Sequence, residues 1–389
     1  MIVLANARVV TAGRVVEGWV GLEGEQVVAV DAGPAPTGAD TTVDLAGRWL
    51  VPGFVDLHVH GGGGASVGDG GDALSRLLEF HRRHGTARLL ASVVAAPVET
   101  MAGTVAEVAD AVAAPGGGRH LVGSHLEGPF LDQGQCGALD PSWFLRPDAG
   151  RLGELLRAGR GTVRVVTIAP GLPGSDELIR ATVAAGAVAA IGHSGAGYDD
   201  AIAAVEAGAT LATHTFNAMA PWHHRAPGVA GAALDRNDVV CEVIADGVHV
   251  HESALRLIFA AKGAGRVALV TDAIAAAGCG DGTYGLGSRT VQVRGARAEL
   301  ADSGRLAGSV LTMDRALQVA VGAGIPLPDA VTAATATPAR VLGIDDRAGS
   351  IAPGYVADLV VLDDDQMVVA VITDGRLVHG RATFSPSWS

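Results

Sequence analysis

The segment Pro52-Gly53-Phe54-Val55-Asp56-Leu57-His58-Val59-His60 is an apolar run that ends in two histidines one residue apart. Such a run, with Pro and Gly before it and four glycines after it, predicts a buried β-strand over Phe54–His60. Alternate residues of a strand point to the same side, so we expect His58 and His60 to face one direction together. The segment therefore predicts a strand that presents two imidazoles at its end.

Seven further strand-like runs follow, and most are separated by helix-like stretches. The eight predicted strands are Phe54–His60, Arg88–Val94, Leu121–Glu127, Val163–Ala169, Val188–His193, Thr210–Phe216, Val239–Asp246 and Val267–Asp272. The clearest predicted helices are Asp72–His84, Ser175–Ala185, Asp199–Ala207 and Glu252–Lys262. Strands that alternate with helices in this way predict an α/β fold, a closed (β/α)8 TIM-type barrel of parallel strands.

An open doubly wound sheet is the alternative architecture. That fold usually carries a G-x-G-x-x-G phosphate turn after its first strand, with an acidic residue downstream. Residues 61–64 are all glycine, but they lack this spacing, so we expect a flexible loop there.

Both ends of the chain show short β-type runs broken by glycines, such as Val27–Val30 and Leu359–Leu362. Neither end has enough apolar surface to fold alone, so pairing them into one small β-sandwich is the economical solution. We therefore expect a discontinuous β-sandwich domain from residues 1–50 and 350–389, and a barrel domain over residues 51–349.

The composition limits the possible partners and compartment. The 389 residues carry a net charge of −13, which disfavours nucleic acid and anionic membranes as partners. Three cysteines, Cys136, Cys241 and Cys279, form an odd and sparse set that is typical of a reducing compartment. There is no apolar run long enough to span a bilayer, so we expect a cytoplasmic protein.

Histidines and carboxylates recur at the C-terminal ends of the predicted strands, where active sites of this fold are built. Imidazole nitrogens and carboxylate oxygens suit Zn²⁺, Fe²⁺, Mn²⁺ or Co²⁺. A single histidine at a strand end is more often a hydrogen-bonded core residue, but six such groups at five strand ends favour a shared catalytic metal site. The predicted ligands are His58, His60, Glu127, His193, His214 and Asp272.

The other histidines lack this placement. His125 lies two residues before Glu127 and is expected to support the ligands from behind. The remainder are expected to be solvated or to cap helices: His81, His84, His120, His223, His224, His251 and His379.

Several longer strings resemble the N-acetylglucosamine-6-phosphate deacetylases of the amidohydrolase superfamily. The most specific are His125-Leu126-Glu127-Gly128-Pro129 and His214-Thr215-Phe216-Asn217-Ala218-Met219. Others are Gly192-His193-Ser194, Ala245 to Val250, Val270 to Ala273, Leu306 to Met313, and Gly349 to Leu359. The resemblance spans nearly the whole chain.

The resemblance implies one or two divalent metal ions per chain, with zinc the first candidate. Glu127, His193 and His214 are expected at the main site, and His58 and His60 at a second site that shares Glu127. Members that carry a carbamylated lysine on a barrel strand are excluded, because Lys262, the only lysine, lies in a helix-like stretch.

The resemblance also implies a mechanism. A bound divalent ion would lower the pKa of water and polarise the acetyl carbonyl. Asp272 is expected to be the general base that takes a proton from water and passes it to the leaving amine, and it is also a candidate ligand. His249 would contact the substrate.

The phosphate of the substrate is expected to meet Asn217, the backbone of Ala218 and Arg225, whose guanidinium offers a bidentate fork. The family arginine apparently reaches the phosphate across a dimer interface, so a homodimer is expected. Leu139 departs from the family, which usually carries a sugar-contacting histidine near this position in the loop.

Three alternatives remain open, and Leu139 is the feature that favours the first of them. The first is a deacetylase for N-acetylgalactosamine 6-phosphate. The second is a different N-acyl amidohydrolase, such as a D-aminoacylase or a cyclic-amide hydrolase. The third is a sugar-phosphate sensor without catalytic activity.

Overall fold

The computed structural model describes residues 1–11 and 13–380. The N-terminal segment forms only β-strands joined by turns and loops, as its β-branched runs separated by glycines predict. Its five strands are β1 (Ile2–Thr11), β2 (Arg14–Glu23), β3 (Gln26–Ala32), β4 (Thr41–Asp44) and β5 (Trp49–Pro52).

Eight parallel strands then follow one another around a barrel, which confirms the predicted fold class. They are β6 (Phe54–Val59), β9 (Thr86–Val94), β10 (Leu121–Glu127), β11 (Val163–Ile168), β12 (Val188–Ile191), β13 (Leu211–Ala212), β14 (Val240–Ile244) and β15 (Val267–Val270). Two short strands, β7 (Gly61–Gly62) and β8 (Ala65–Ser66), form a small hairpin after β6.

The barrel closes between its first and last strands at a seam that carries functional residues. The backbone amide of Asp272 donates to the carbonyl of His58 over 2.8 Å, and Val59 bridges Ala273. The carboxylate of Asp56 accepts the Thr271 hydroxyl over 2.6 Å and the backbone amides of Thr271 and His58 over 3.2 Å each. The first and last strands of the barrel, β6 and β15, are therefore held together directly behind His58 and Asp272.

Several observed strands end earlier than the sequence predicts. The predicted strands Val188–His193 and Thr210–Phe216 stop at Ile191 and Ala212. His193, His214 and Asp272 all have positive φ, with values of 47°, 27° and 50°. Such backbone leaves the β conformation and is costly for residues other than glycine, and it clusters at functional sites.

Helices surround the barrel. They are α1 (Ala73–Arg83), α2 (Val98–Ala113), α3 (Ala149–Ala158), α4 (Ser175–Ala184), α5 (Tyr198–Glu206), α6 (Gly228–Asp235), α7 (Glu252–Lys262), α8 (Met313–Gly322), α9 (Leu327–Ala334) and α10 (Ala336–Val341). Within the described residues, none of them is both long and apolar enough to cross a membrane.

The buried face of α1 contradicts the prediction made for His81. Ala73, Leu77 and His81 recur every four residues along this helix, and all three are buried. His81 is therefore a core histidine, and the expectation that it is solvated or caps a helix was wrong. Its Nε2 lies 2.9 Å from the carbonyl of Gly61. The helical spacing of Leu77 and His81 is the signal that identifies this placement.

Between barrel and C-terminus the chain first forms a three-stranded antiparallel sheet and then returns to the N-terminal strands. The small sheet contains β16 (Gly282–Leu286), β17 (Arg289–Arg294) and β18 (Arg297–Leu300). The last strands are β19 (Leu359–Leu362), β20 (Val368–Thr373) and β21 (Arg376–Gly380).

The two ends of the chain share one sheet, in the order β21-β20-β19-β5-β1-β2-β3, with β4 also paired to β1. The β5–β19 pair joins the segments, and a separate aliphatic core that includes Leu22, Val43 and Leu359 packs inside. This agrees with the expected β-sandwich of both termini. The domain limits, 1–50 with 350–389 and 51–349, stay a prediction, and residues 381–389 lie outside the described residues.

Candidate active site

The six predicted ligands converge at the C-terminal mouth of the barrel and form two triads. In the first, Nε2 of His60 lies 3.0 Å from Nε2 of His58 and 3.1 Å from Oδ1 of Asp272. In the second, Oε1 of Glu127 lies 3.0 Å from Nε2 of His193 and 3.1 Å from Nε2 of His214. Within each triad the ligand atoms all lie within 4.8 Å of one another.

Glu127 lies between the two triads. Its Oε2 is 3.3 Å from Nε2 of His60, and its Oε1 is 3.5 Å from Nε2 of His58. One carboxylate thus reaches all four imidazoles, as a residue shared between two sites would.

The donor set fits divalent metal ions. Each triad combines two imidazole nitrogens with one carboxylate oxygen, and all three side chains are buried. Imidazole and carboxylate are the ligands of catalytic Zn²⁺ and of other first-row divalent ions, and three protein ligands leave coordination positions open. His58, His60 and Asp272 could hold one ion, and Glu127, His193 and His214 another.

In this buried cluster the pKa of each imidazole and carboxylate depends on the charges of its neighbours. Burial alone disfavours protonated His58, but the carboxylates of Asp272, Glu127 and Glu242 outweigh it and raise the pKa of His58 well above its ordinary value. Likewise the pKa of His60 rises to about 9, despite burial, beside Asp272 and Glu127. Burial raises the pKa of Glu127, but the surrounding imidazoles lower it further, well below its ordinary value. The carboxylates therefore require positive charge close by, which divalent ions would also supply.

Most of the ligand imidazoles are oriented through their second nitrogen. Nδ1 of His60 lies 3.1 Å from the carbonyl of Ser92, and Nδ1 of His193 lies 2.9 Å from the carbonyl of Gln135. Carbonyl acceptors keep a proton on Nδ1, so the lone pair of Nε2 is directed into the cluster.

His58 is oriented by Glu242, a residue that the sequence reasoning missed. Oε2 of Glu242 lies 3.3 Å from Nδ1 of His58 and accepts the backbone amide of His214 over 3.2 Å. Glu242 is fully buried in the middle of β14, whose other residues are Val240, Cys241, Val243 and Ile244. A single acidic residue inside an apolar barrel strand was the available signal, because a buried carboxylate requires partners.

His125 is placed as predicted, behind the ligands. Its Nδ1 lies 3.1 Å from the Ser92 hydroxyl and its Nε2 lies 2.8 Å from the Thr167 hydroxyl. Burial first, and the charge of His58 second, lower the pKa of His125 well below its ordinary value, so its ring is neutral.

A cavity of about 280 Å³ opens above the two triads. Among the predicted substrate contacts, Leu139, Asn217, Ala218 and His249 line it. Nδ1 of His249 lies 2.7 Å from Oδ2 of Asp246, which fixes the imidazole. Arg305 also lines the cavity; it brings a positive charge that sequence reasoning did not single out.

Arg225 does not line this cavity within the single described chain. It is exposed, and its guanidinium lies 2.8 Å from Nε2 of the neighbouring His224. The structure thus brings four of the five predicted substrate contacts together and leaves Arg225 on the surface.

The sequence and fold match known proteins over nearly the full chain. Residues 49–378 match the amidohydrolase family model. An N-acetylglucosamine-6-phosphate deacetylase from Bacillus subtilis is 34% identical over 97% of this chain and 96% of its own length. An N-acetylgalactosamine-6-phosphate deacetylase from Escherichia coli O157:H7 is 37% identical over 84% of this chain and 87% of its own length.

Solved structures of similar proteins superpose closely. An aspartate-to-alanine variant of N-acetyl-D-glucosamine-6-phosphate deacetylase from Mycobacterium smegmatis, in complex with N-acetyl-D-glucosamine 6-phosphate, is 42% identical with a TM-score of 0.92. The superposition covers 97% of this chain and 99% of the Mycobacterium smegmatis chain. The Pasteurella multocida enzyme is 30% identical with a TM-score of 0.90, covering 96% of this chain and 98% of that chain. The chain therefore belongs to the amidohydrolase family, and within it to the same group as the N-acetylglucosamine-6-phosphate deacetylases.

Proposed function

We propose that this protein hydrolyses the acetamide of N-acetyl-D-glucosamine 6-phosphate to D-glucosamine 6-phosphate and acetate. The observation that carries the proposal is the pair of buried histidine–carboxylate triads, which meet at Glu127 beneath a cavity of substrate size. The similarity to deacetylases of phosphorylated amino sugars over more than four fifths of the chain supports the same substrate class.

The triads are proposed to bind one or two divalent ions, with zinc the first candidate and iron, manganese or cobalt as others. When bound, such an ion polarises the acetyl carbonyl and lowers the pKa of water. Glu127, His193 and His214 would hold the main ion, and His58, His60 and Asp272 would hold a second with help from Glu127.

Asp272 is proposed to be the general base. The backbone at its positive φ directs the carboxylate to the cavity, where Oδ1 lies 3.1 Å from Nε2 of His60. Burial raises its pKa, but the charges of His58 and His60 lower it below the ordinary value, so the carboxylate is ionised and can accept a proton. It takes that proton from the attacking water and returns it to the amine nitrogen as the C–N bond breaks.

The sugar is proposed to lie against Leu139 and His249, with its phosphate near Asn217 and Ala218. The guanidinium of Arg225 would complete the phosphate site of a neighbouring subunit in a homodimer, which accounts for its exposure in a single chain. The three free cysteines support a reducing compartment, and we propose the cytoplasm.

A deacetylase for N-acetylgalactosamine 6-phosphate is the second candidate. Leu139 keeps this candidate open. Leucine offers no hydrogen bond to a sugar hydroxyl, so it does not discriminate between the glucosamine and galactosamine configurations. The relative from Escherichia coli O157:H7 carries that name.

The deciding experiment is acetate release by metal-reconstituted protein from three substrates: the two hexosamine 6-phosphates and unphosphorylated N-acetylglucosamine. Strong release from N-acetylglucosamine 6-phosphate, lost in Asp272→Asn, supports the proposal. A preference for the galactosamine compound supports the second candidate. Equal release from the unphosphorylated sugar argues against the phosphate requirement, and no release from any of them contradicts both.

A further inference from the structure

A second cavity of about 570 Å³ lies beside the first one and shares three of its lining residues, His60, Val94 and Leu286. Because these residues line both spaces, they form the wall between them. Behind the wall the lining is mainly small, hydroxylated or apolar, with Thr100, Thr104 and Met101 on α2. The mechanism described above does not use this space.

The wall is built from two elements that meet above the barrel. Val94 is the last residue of β9 and Leu286 the last residue of β16. The turn after β16 lies close to the barrel here, because a Cβ placed on Gly287 would lie 4.0 Å from Cγ2 of Val94. The end of the second barrel strand and the turn of the three-stranded sheet therefore close this side of the active site.

The wall faces the side opposite to the proposed phosphate contacts. Asn217 and Ala218 follow the sixth strand of the barrel, and Val94 ends the second. In an eight-stranded barrel, strands two and six are diametrically opposed. The two metal-binding triads lie between these sides.

The geometry of an amide then fixes the direction of the acyl group. The carbonyl carbon is planar, so its nitrogen and its methyl group extend to different sides of the carbonyl. With the phosphate on the side of the sixth strand and the carbonyl over the triads, the sugar extends from the sixth strand towards the triads. The methyl group, on the far side of the carbonyl, is then directed to Val94 and Leu286.

We propose that Val94 and Leu286 set the length of the acyl group that this enzyme accepts, and that the second cavity is the space that longer acyl groups enter when this wall is trimmed. The inference rests on the proposed function and names the substrate class of the same site. The acids released would be straight-chain acids of three or four carbons.

The test compares N-acetyl-, N-propanoyl- and N-butanoyl-glucosamine 6-phosphate, with glucosamine 6-phosphate measured as their common product. The native protein is expected to favour acetyl over butanoyl by at least about tenfold in kcat/KM, because one excess methylene in a closed pocket already costs that much. Val94→Ala and Leu286→Ala are expected to move this ratio towards butanoyl by about tenfold each.

Two further variants make the result specific. Thr100 is exposed on α2 and lines only the second cavity, so Thr100→Phe can fill that space without displacing the core. Added to Val94→Ala, it is expected to cancel the gain. Val183→Ala, at an exposed position on α4, is the matched control and should leave the ratio unchanged.

The outcomes separate this inference from the function on which it rests. If the native protein releases glucosamine 6-phosphate from none of the substrates, the proposed function fails. If it deacetylates the acetyl compound but both wall variants keep the native acyl preference, the wall does not select the acyl group. A native protein that accepts butanoyl as well as acetyl also overturns the inference.

Discussion

The carboxylate of Glu242 lies 3.3 Å from Nδ1 of His58, and the same oxygen accepts the backbone amide of His214. His58 belongs to one triad and His214 to the other, so one buried residue on β14 positions a ligand of each. A carboxylate that holds the second nitrogen of a ligating histidine fixes its tautomer and increases its basicity.

Glu242→Gln is therefore expected to weaken metal binding by about 10- to 100-fold, which is typical of residues that support metal ligands. Titration of metal-free protein with Zn²⁺ or Co²⁺ would measure the affinity and the number of ions bound. Glu206→Gln, at an exposed position on α5, is the control. Unchanged affinity at both sites would remove the positioning role from Glu242.

Asp272→Asn is expected to lower kcat by about 10²–10⁴-fold, because asparagine cannot accept the proton that the general base must take. The assay is acetate release from N-acetylglucosamine 6-phosphate with metal in excess, so that weaker metal binding is compensated. Asp302→Asn, in an exposed turn, is the matched control. A variant that kept more than a tenth of the native kcat would contradict the base role.

Arg225→Ala is expected to raise KM for the phosphorylated substrate by about 10- to 100-fold, the loss of a hydrogen bond to a charged group. Activity on unphosphorylated N-acetylglucosamine should not change. Arg180→Ala, also exposed, should leave the activities on both substrates unchanged.

If the homodimer proposal holds, mixing Arg225→Ala with Asp272→Asn should restore activity above that of either variant alone, because some subunits then combine an intact base with an intact partner arginine. Parental kinetics in Arg225→Ala would exclude the arginine from the phosphate site.

Removal of metal is expected to abolish activity and to destabilise the fold, because a ligand that binds only the native state stabilises it, by about 4 kcal/mol at a thousand times its Kd. Chelator-treated protein should unfold at a lower temperature and recover with added divalent ion. Metal analysis after reconstitution should approach two ions per chain. At most one ion per chain, even after reconstitution, would contradict the second site.

His81 is expected to make the protein less stable in acid. Burial lowers the pKa of His81 from 6.5 to about 4, so its ring is neutral in the folded state. As pH falls from 6.5 towards 4, the unfolded chain takes up a proton that the folded protein does not bind, and the free energy of unfolding decreases by up to about 3 kcal/mol. His81→Gln has no such proton, so urea unfolding at pH 7.5 and pH 5 should show a smaller decrease than in the native protein. Equal decreases would contradict this assignment.

The sequence by itself determined the barrel and the set of histidines and carboxylates that gather at its mouth. Strand period and strand–helix alternation are local properties, so the eight strands could be located and the histidines and carboxylates at their ends recognised. The period of α1 likewise could have placed His81 in the core.

Only the tertiary structure decided how these residues are grouped. Asp272 joins His58 and His60 because closure of the barrel brings strand eight beside strand one, a contact between residues more than 200 positions apart in the chain. Glu242 reaches both triads, and Val94 and Leu286 line the same cavity, because elements that share no local pattern pack together. Periodicity fixes which side of a strand a residue faces, whereas the partner it meets there depends on how the whole chain closes.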